Sequence, residues 1–160
     1  MAYLYPYISQ WPEDYRKEEL AIHAAYAGAI ELYHIGSTAI EGLFAKDCID
    51  ILGGVPDLTQ VQVNVKSLEH LGFSYKSSYG IEGREYFSKD ARKVHFHIFQ
   101  QGNASIKKHL GFVQIMKSRP DLIDQLNRLK LELESKYPFD KHCYQQEKTF
   151  FYDEVHKMLY

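Results

Sequence analysis

The feature that most constrains this chain is a glycine turn set between two short strand-like stretches: His34-Ile35-Gly36-Ser37-Thr38, then Lys46-Asp47-Cys48-Ile49-Asp50-Ile51-Leu52. A glycine directly after a strand lets the backbone turn tightly and lets a ligand approach it closely. The hydroxyls of Ser37 and Thr38, with the backbone N–H groups of the turn, form a reasonable phosphate cradle. The second stretch carries a carboxylate, Asp50, between branched apolar neighbours. A carboxylate oxygen is a hard ligand, suited to magnesium held together with a nucleotide's phosphates. An ordinary strand–turn with a polar residue facing solvent has the same short signature.

Side-chain alternation extends the reading. In a strand, Cys48, Asp50 and Leu52 share one face and Ile49 and Ile51 the other. Further on, Val94, Phe96 and Ile98 share a face opposite His95, His97 and Phe99. Ile49, Ile51, Val94, Phe96 and Ile98 are therefore the expected core layer, with Asp50, His95 and His97 on the open side of the same sheet. Arg84, Tyr86 and Ser88 fall on one side of their own strand. The expected site is a polar cleft holding Asp50, the histidines and cations from Lys46 and Arg84. Within it, His95-x-His97 is open to three readings. The pair can bind a metal with Asp50 as third ligand, serve proton transfer beside a carboxylate, or stand as surface histidines.

The rest of the chain is read as helix from Pro12 to about Gly28 and strand over 30–35. Residues 47–52 form a strand ended by Gly53, Gly54 and Pro56. Leu58, Val61, Val65 and Leu68 mark a helix. Phe73 to Lys76 suit a strand, and 84–88 with 93–99 an antiparallel hairpin. Helices follow over 105–117, from Pro120 with Leu122, Leu126, Leu129 and Leu133 on one face, and after an Asp140 cap. Tyr144, Phe151, Val155 and Met158 line one side of the last helix. The fold class is α+β: a small mixed sheet packed with helices, ending in a helical segment. Lys107, Lys108 and His109 read as a solvated basic face.

Composition narrows the function. The 160 residues are 45% apolar and 25% charged, enough for one domain spanning 1–160. Nineteen basic against 21 acidic side chains, net −2, argue against a general nucleic-acid binder. Cys48 and Cys143 form no Cys-x-x-Cys pair, so neither a disulfide scaffold nor a cysteine zinc cluster is expected, and a reducing compartment fits. Charged residues crowd positions 13–19, and no apolar run approaches the ~18 residues that span a bilayer. The expectation is a cytoplasmic protein without membrane association, its oligomeric state left open.

The run His34-Ile35-Gly36-Ser37-Thr38-Ala39-Ile40, with Gly42-Leu43, Ala45-Lys46 and Ile49-Asp50-Ile51-Leu52, resembles the GrpB family. Later blocks follow in order: Gly83-Arg84, Tyr86-Phe87, His95-Phe96-His97, Leu110-x-Phe112, Leu129-Lys130, and Tyr144 with Lys148 and Phe151. The resemblance implies a nucleotidyltransferase-like fold. In that superfamily a Gly-Ser turn holds a triphosphate, and two or three carboxylates hold two metal ions. This chain departs from the enzymes: Cys48 stands where the first acid of D-x-D belongs, and His95 or His97 where a third acid belongs. It also departs from the GrpB pattern, with Glu41 and Asp47 in place of prolines and Val113-Gln114 where Arg-Asp is common.

The resemblance thus implies a nucleotide or other phosphorylated small molecule as ligand, with nucleotidyl transfer as one outcome and, as the alternative, a catalytically inactive protein that only binds such a ligand or serves as an interaction module. Gly36, Ser37, Thr38, Lys46, Arg84 and Lys148 are the expected phosphate-binding residues. Asp50 and His97 are the expected catalytic pair. Asp50, His95 and His97 are the expected ligands of a magnesium or manganese ion.

Overall fold

The computed structural model describes residues 4–159. A five-stranded sheet organises the molecule: β1 (Glu31–Ile35), β2 (Ile49–Val55), β3 (Ser74–Tyr75), β4 (Arg84–Lys89) and β5 (Val94–Gln100). Their order is β1-β2-β5-β4-β3. β2 and β5 run parallel at the centre, with Asp50 paired to His95 and Leu52 to His97. β4 and β5 form the expected antiparallel hairpin, and β1 and β3 close the edges antiparallel to their neighbours. With five helices, α1 (Gln10–Ala25), α2 (Val65–His70), α3 (Ala104–Ser118), α4 (Pro120–Lys136) and α5 (Lys141–His156), the class is α+β.

The alternation in β2 and β5 determines the two layers. Ile49, Ile51, Val94, Phe96 and Ile98 are all fully buried, as expected, under Trp11, Tyr15 and Ile22 of α1 and Leu68 of α2. The opposite face is not open, which corrects the sequence reading. Leu52 and Phe99 carry a second apolar core beneath Phe112 and Met116 of α3, Leu122 and Leu126 of α4, and Val155 of α5. The end of this face near Asp50, His95 and His97 stays accessible, with both Asp50 and His95 part-exposed.

Several boundaries move for identifiable reasons. β2 continues through Gly53 and Gly54 instead of ending there. A Cβ at Gly53 would come within 3.0 Å of the Phe96 ring and 3.1 Å of Ile30, so the glycine lets the central strand pass under packed side chains. α1 stops at Ala25, before Gly28, because buried Asn64 accepts from the Ala27 N–H and donates to its carbonyl. The stretch read as one helix over Leu58 to Leu68 is a 3-10 turn (Leu58–Asn64) followed by α2. Asp140 caps α5 through the Cys143 N–H, but α5 ends at His156 and Met158 is half exposed on the turn that follows. Among the described residues, no helix is long and apolar enough to cross a membrane.

Candidate functional site

The site grows from the contact between Gly36 and Asp50. Gly36 sits at φ 74°, ψ −173°, a backbone region open essentially to glycine alone. A Cβ there would lie 2.6 Å from Asp50 Oδ2. Ile35 of β1 pairs with Asp50 of β2, so the sheet register presses the carboxylate against the turn. The 3-10 turn Ser37–Ala39 follows directly.

The carboxylate faces two imidazoles. His95 Nδ1 is 3.5 Å and His97 Nε2 3.6 Å from Asp50 Oδ1. Burial pushes the Asp50 carboxyl upward, but the hydrogen bonds from His95 and His97 outweigh it and hold the group at about 2. Asp50 is therefore an anion at neutral pH. Arg84 fixes the state of His97: its Nη1 lies 3.1 Å from His97 Nδ1. A guanidinium only donates, so Nδ1 accepts and the ring proton sits on Nε2, facing Asp50. Arg84 also donates to the carbonyls of Ser78 and Tyr79 and stacks on Tyr86 at 4.5 Å. It is buried, and acts behind His97.

Lysines dominate the cavity on the other side of Asp50. This space, about 210 Å3, is lined by Ser37, Thr38, Lys46, Asp50, Lys130 and Lys148 among others. Lys130 of α4 is 2% exposed. Its Nζ donates to Ser37 Oγ at 2.7 Å and to the Phe44 carbonyl at 2.8 Å. Among the described residues no carboxylate pairs with it. Burial, with Lys148 and Lys46 nearby, pushes its ammonium well below the ordinary lysine value, and Asp50 opposes that only in part. Lys148 lies over the rings of Tyr144 (5.3 Å) and Tyr152 (5.5 Å). Burial and Lys46 bring it down to about 8. Lys46, over Tyr144 at 5.8 Å, is also lowered, by burial and then Lys141 and Lys93.

The residues singled out in sequence are thus largely neighbours. Ser37, Lys46, Asp50 and Lys148 meet at one cavity, with His95 on its wall, while Gly36 and His97 line a second cavity on the other side of the carboxylate. Thr38 also borders the first cavity, but its hydroxyl donates to the Cys48 carbonyl at 3.1 Å and takes a 2.9 Å bond from His34 Nε2. Its side chain secures the turn. Asp47 lies outside, bonded to Trp11 Nε1 and Arg92. Sequence reasoning passed over three residues. Lys130 falls between Leu126 and Leu133 on the apolar stripe of α4, a position where a charge needs explaining. His109, read with a solvated cluster, turns inward and stacks near His97 with centroids 5.9 Å apart. Tyr152 stacks on Phe112 at 4.6 Å.

Cys48, Asp50 and His95 could hold one metal ion: their ligand atoms lie within 4.8 Å of one another. His97 stands outside that group. Burial, with Asp50 adjacent, pushes the Cys48 thiol up to about 12, so it binds an ion only by losing a tightly held proton. The set supplies one hard oxygen donor. It does not fit a two-magnesium centre, which needs several carboxylates.

The family described as "GrpB protein" matches residues 2–158. The glutamate-rich protein GrpB of Alkalihalophilus pseudofirmus is 31% identical over 153 residues, covering 91% of this chain and 88% of the relative. YqkA of Bacillus subtilis is 31% identical over 135 residues, 82% of this chain but only 39% of that protein's length. The crystal structure of the conserved protein GrpB from Enterococcus faecalis superposes with a TM-score of 0.88 at 26% identity, covering 97% and 98% of the two chains. The Cid1 poly(U) polymerase with MgGTP bound gives a TM-score of 0.56 at 13% identity over 85% of this chain and 45% of the polymerase. At that identity the likeness bears on fold alone, and it bears out the nucleotidyltransferase-like architecture. With the family matched over nearly the whole chain and a relative 31% identical along most of its own length, the chain belongs to the GrpB family.

Proposed function

We propose that this protein binds a nucleotide or another phosphate-bearing small molecule in the lysine-lined cavity beside Asp50. Lys130 carries the reading. A buried ammonium with only neutral oxygens as partners is costly unless an anion completes it. Lys46 and Lys148 border the same space, and Asp50 is the one acid among its described lining residues. The ligand that balances three lysines against one carboxylate is polyanionic. Ser37 Oγ, already within reach of Lys130, offers a hydroxyl to a phosphate oxygen, and the backbone of the glycine turn can approach it closely.

Transfer of a nucleotidyl group is a second reading, favoured by the fold and by Asp50 and His97 in contact. In it His95 and His97, whose Nδ1 and Nε2 lie 3.5 and 3.6 Å from Asp50 Oδ1, are the proton donors beside the carboxylate. A two-metal route has no support in the donor set, and a magnesium or manganese ion would find Asp50 as its one hard ligand.

The test is calorimetric titration with ATP, UTP and pyrophosphate, in magnesium and in EDTA. Saturable binding in the wild type, weakened about tenfold to a hundredfold by Lys130→Met, is expected for loss of a charged hydrogen bond. Absence of binding by all three ligands would overturn the reading.

A further inference from the structure

Asp50 and Gly36 separate the lysine cavity from a second one of different chemistry. That space, about 330 Å3, is lined by Gly36, Asp50, His97, His109, Phe112 and Tyr152, with Ser105 and Lys108 at the start of α3. Its walls are flat rings. Phe112 and Tyr152 stack at 4.6 Å and 18°, and His97 and His109 face each other at 29°. Burial, then the neighbouring His97, pushes His109 down to about 4, so its ring is uncharged at neutral pH. Lys108 is exposed. The interior is thus largely aromatic, with polar atoms from Ser105, His109 and His156 and one charge, the Asp50 carboxylate it shares with the lysine side.

The two cavities share Asp50 and adjoin across Gly36–Ser37. A molecule anchored by phosphate on the lysine side needs to cross only the glycine turn to enter the aromatic side. We infer that this second cavity seats the heterocyclic base of a nucleotide whose phosphates occupy the lysine cavity. The inference rests on the phosphate-binding reading above. Stacking on aromatic faces is the general means of holding a base, because every base has a π-face. The volume, near the lower end for small-molecule pockets, suits a ring system and excludes a folded chain. A competing location lies beyond Lys46, where Tyr5, Lys93, Phe139 and Lys141 border an outer shelf. Phe139 is 92% exposed, and Lys46, Lys93 and Lys141 outnumber the one acid, Asp47, on the same shelf. That shelf suits further phosphates better than an enclosed ring.

The experiment compares ATP and UTP with methyl triphosphate, which carries a triphosphate and no ring, by calorimetry on the full chain. At least one nucleotide is expected to bind about tenfold more tightly than methyl triphosphate, the scale of one stacked base. His109→Ala is expected to erase that advantage and leave methyl triphosphate affinity unchanged. Ser105→Ala, at the mouth of the cavity, provides a second variant should His109→Ala not fold, and is expected to narrow the same gap. Phe139→Ala is expected to leave the gap intact. Equal affinity for nucleotides and methyl triphosphate in the wild type would overturn the base site and leave the phosphate site standing. So would an advantage lost through Phe139 and kept without His109. Failure of every triphosphate to bind would overturn both readings.

Discussion

At position 36 a side chain would meet Asp50 before it met solvent. Two constraints act there: the backbone lies in a region costing other residues about 1–3 kcal/mol, and a Cβ would come 2.6 Å from Asp50 Oδ2. Gly36→Ala is expected to lower stability by at least that backbone cost in urea denaturation. Adding Asp50→Ala should recover part of the loss, since it removes the 2.6 Å collision and leaves a tight Cβ contact at 3.1 Å and the backbone strain; a purely additive double variant would show that the carboxylate does not meet the new side chain. Lys148 makes a second residue-scale prediction. Its folded-state value of about 8 lies below that of an unfolded lysine. Between those values the unfolded chain binds the extra proton, so stability rises with pH across that window. A bound phosphate raises the lysine again, so ligand binding takes up protons and weakens as pH climbs past 8. Calorimetry at pH 7 and pH 9 should show affinity falling with pH, with a smaller fall in Lys148→Met. Affinity independent of pH would remove Lys148 from the ligand's contacts.

Among the elements, α4 shows both what the sequence made readable and what it hid. Its leucine spacing and Pro120 start were plain, and Leu122, Leu126 and Leu133 are buried as the periodicity requires. The same periodicity places Lys130 on the buried face, but a charge interrupting an apolar stripe looks like a boundary of that stripe until the neighbouring turn is known. The strands were legible for a related reason: a period of two sorts Ile49 and Ile51 from Asp50 without tertiary information. The covering of the second sheet face was not legible, because whether α3 to α5 fold back over it depends on packing between distant segments. His109 was lost with it, since a histidine beside two lysines looks solvated until α3 is docked. These roles separate experimentally. Leu126→Ala, fully buried, is expected to cost about 2–5 kcal/mol of stability. Lys130→Met at the next turn is expected to leave stability unchanged or raise it, because an apolar residue of similar length replaces a buried charge. A large loss of stability in Lys130→Met would make the lysine a structural tie between α4 and the turn at Ser37, and would take it out of ligand binding.

For the molecule as a whole, the question is what a nucleotidyltransferase-like sheet does with one carboxylate set among lysines and histidines. The overall charge is slightly negative, yet the cleft concentrates lysines around one carboxylate, so local field and net charge have opposite signs. In a site that recruits metal to hold phosphates, a carboxylate attracts the ligand through the ion. In a site that holds phosphates with lysines directly, the same carboxylate repels them. Asp50 therefore decides between the two designs. Asp50→Asn keeps the shape of the side chain and removes its charge. If lysines hold the ligand, this variant is expected to bind ATP more tightly than the wild type, several-fold at low salt, with the gain shrinking as salt screens the site. EDTA should then leave wild-type affinity within about twofold, a change too small to represent a lost ligand bridge. If an ion on Cys48, Asp50 and His95 bridges to the phosphates, both treatments must weaken binding together. The lysine arrangement favours the first pattern, because Lys130 and Lys148 already experience one another's repulsion in the unliganded cleft, and an anion relieves it without help from a metal.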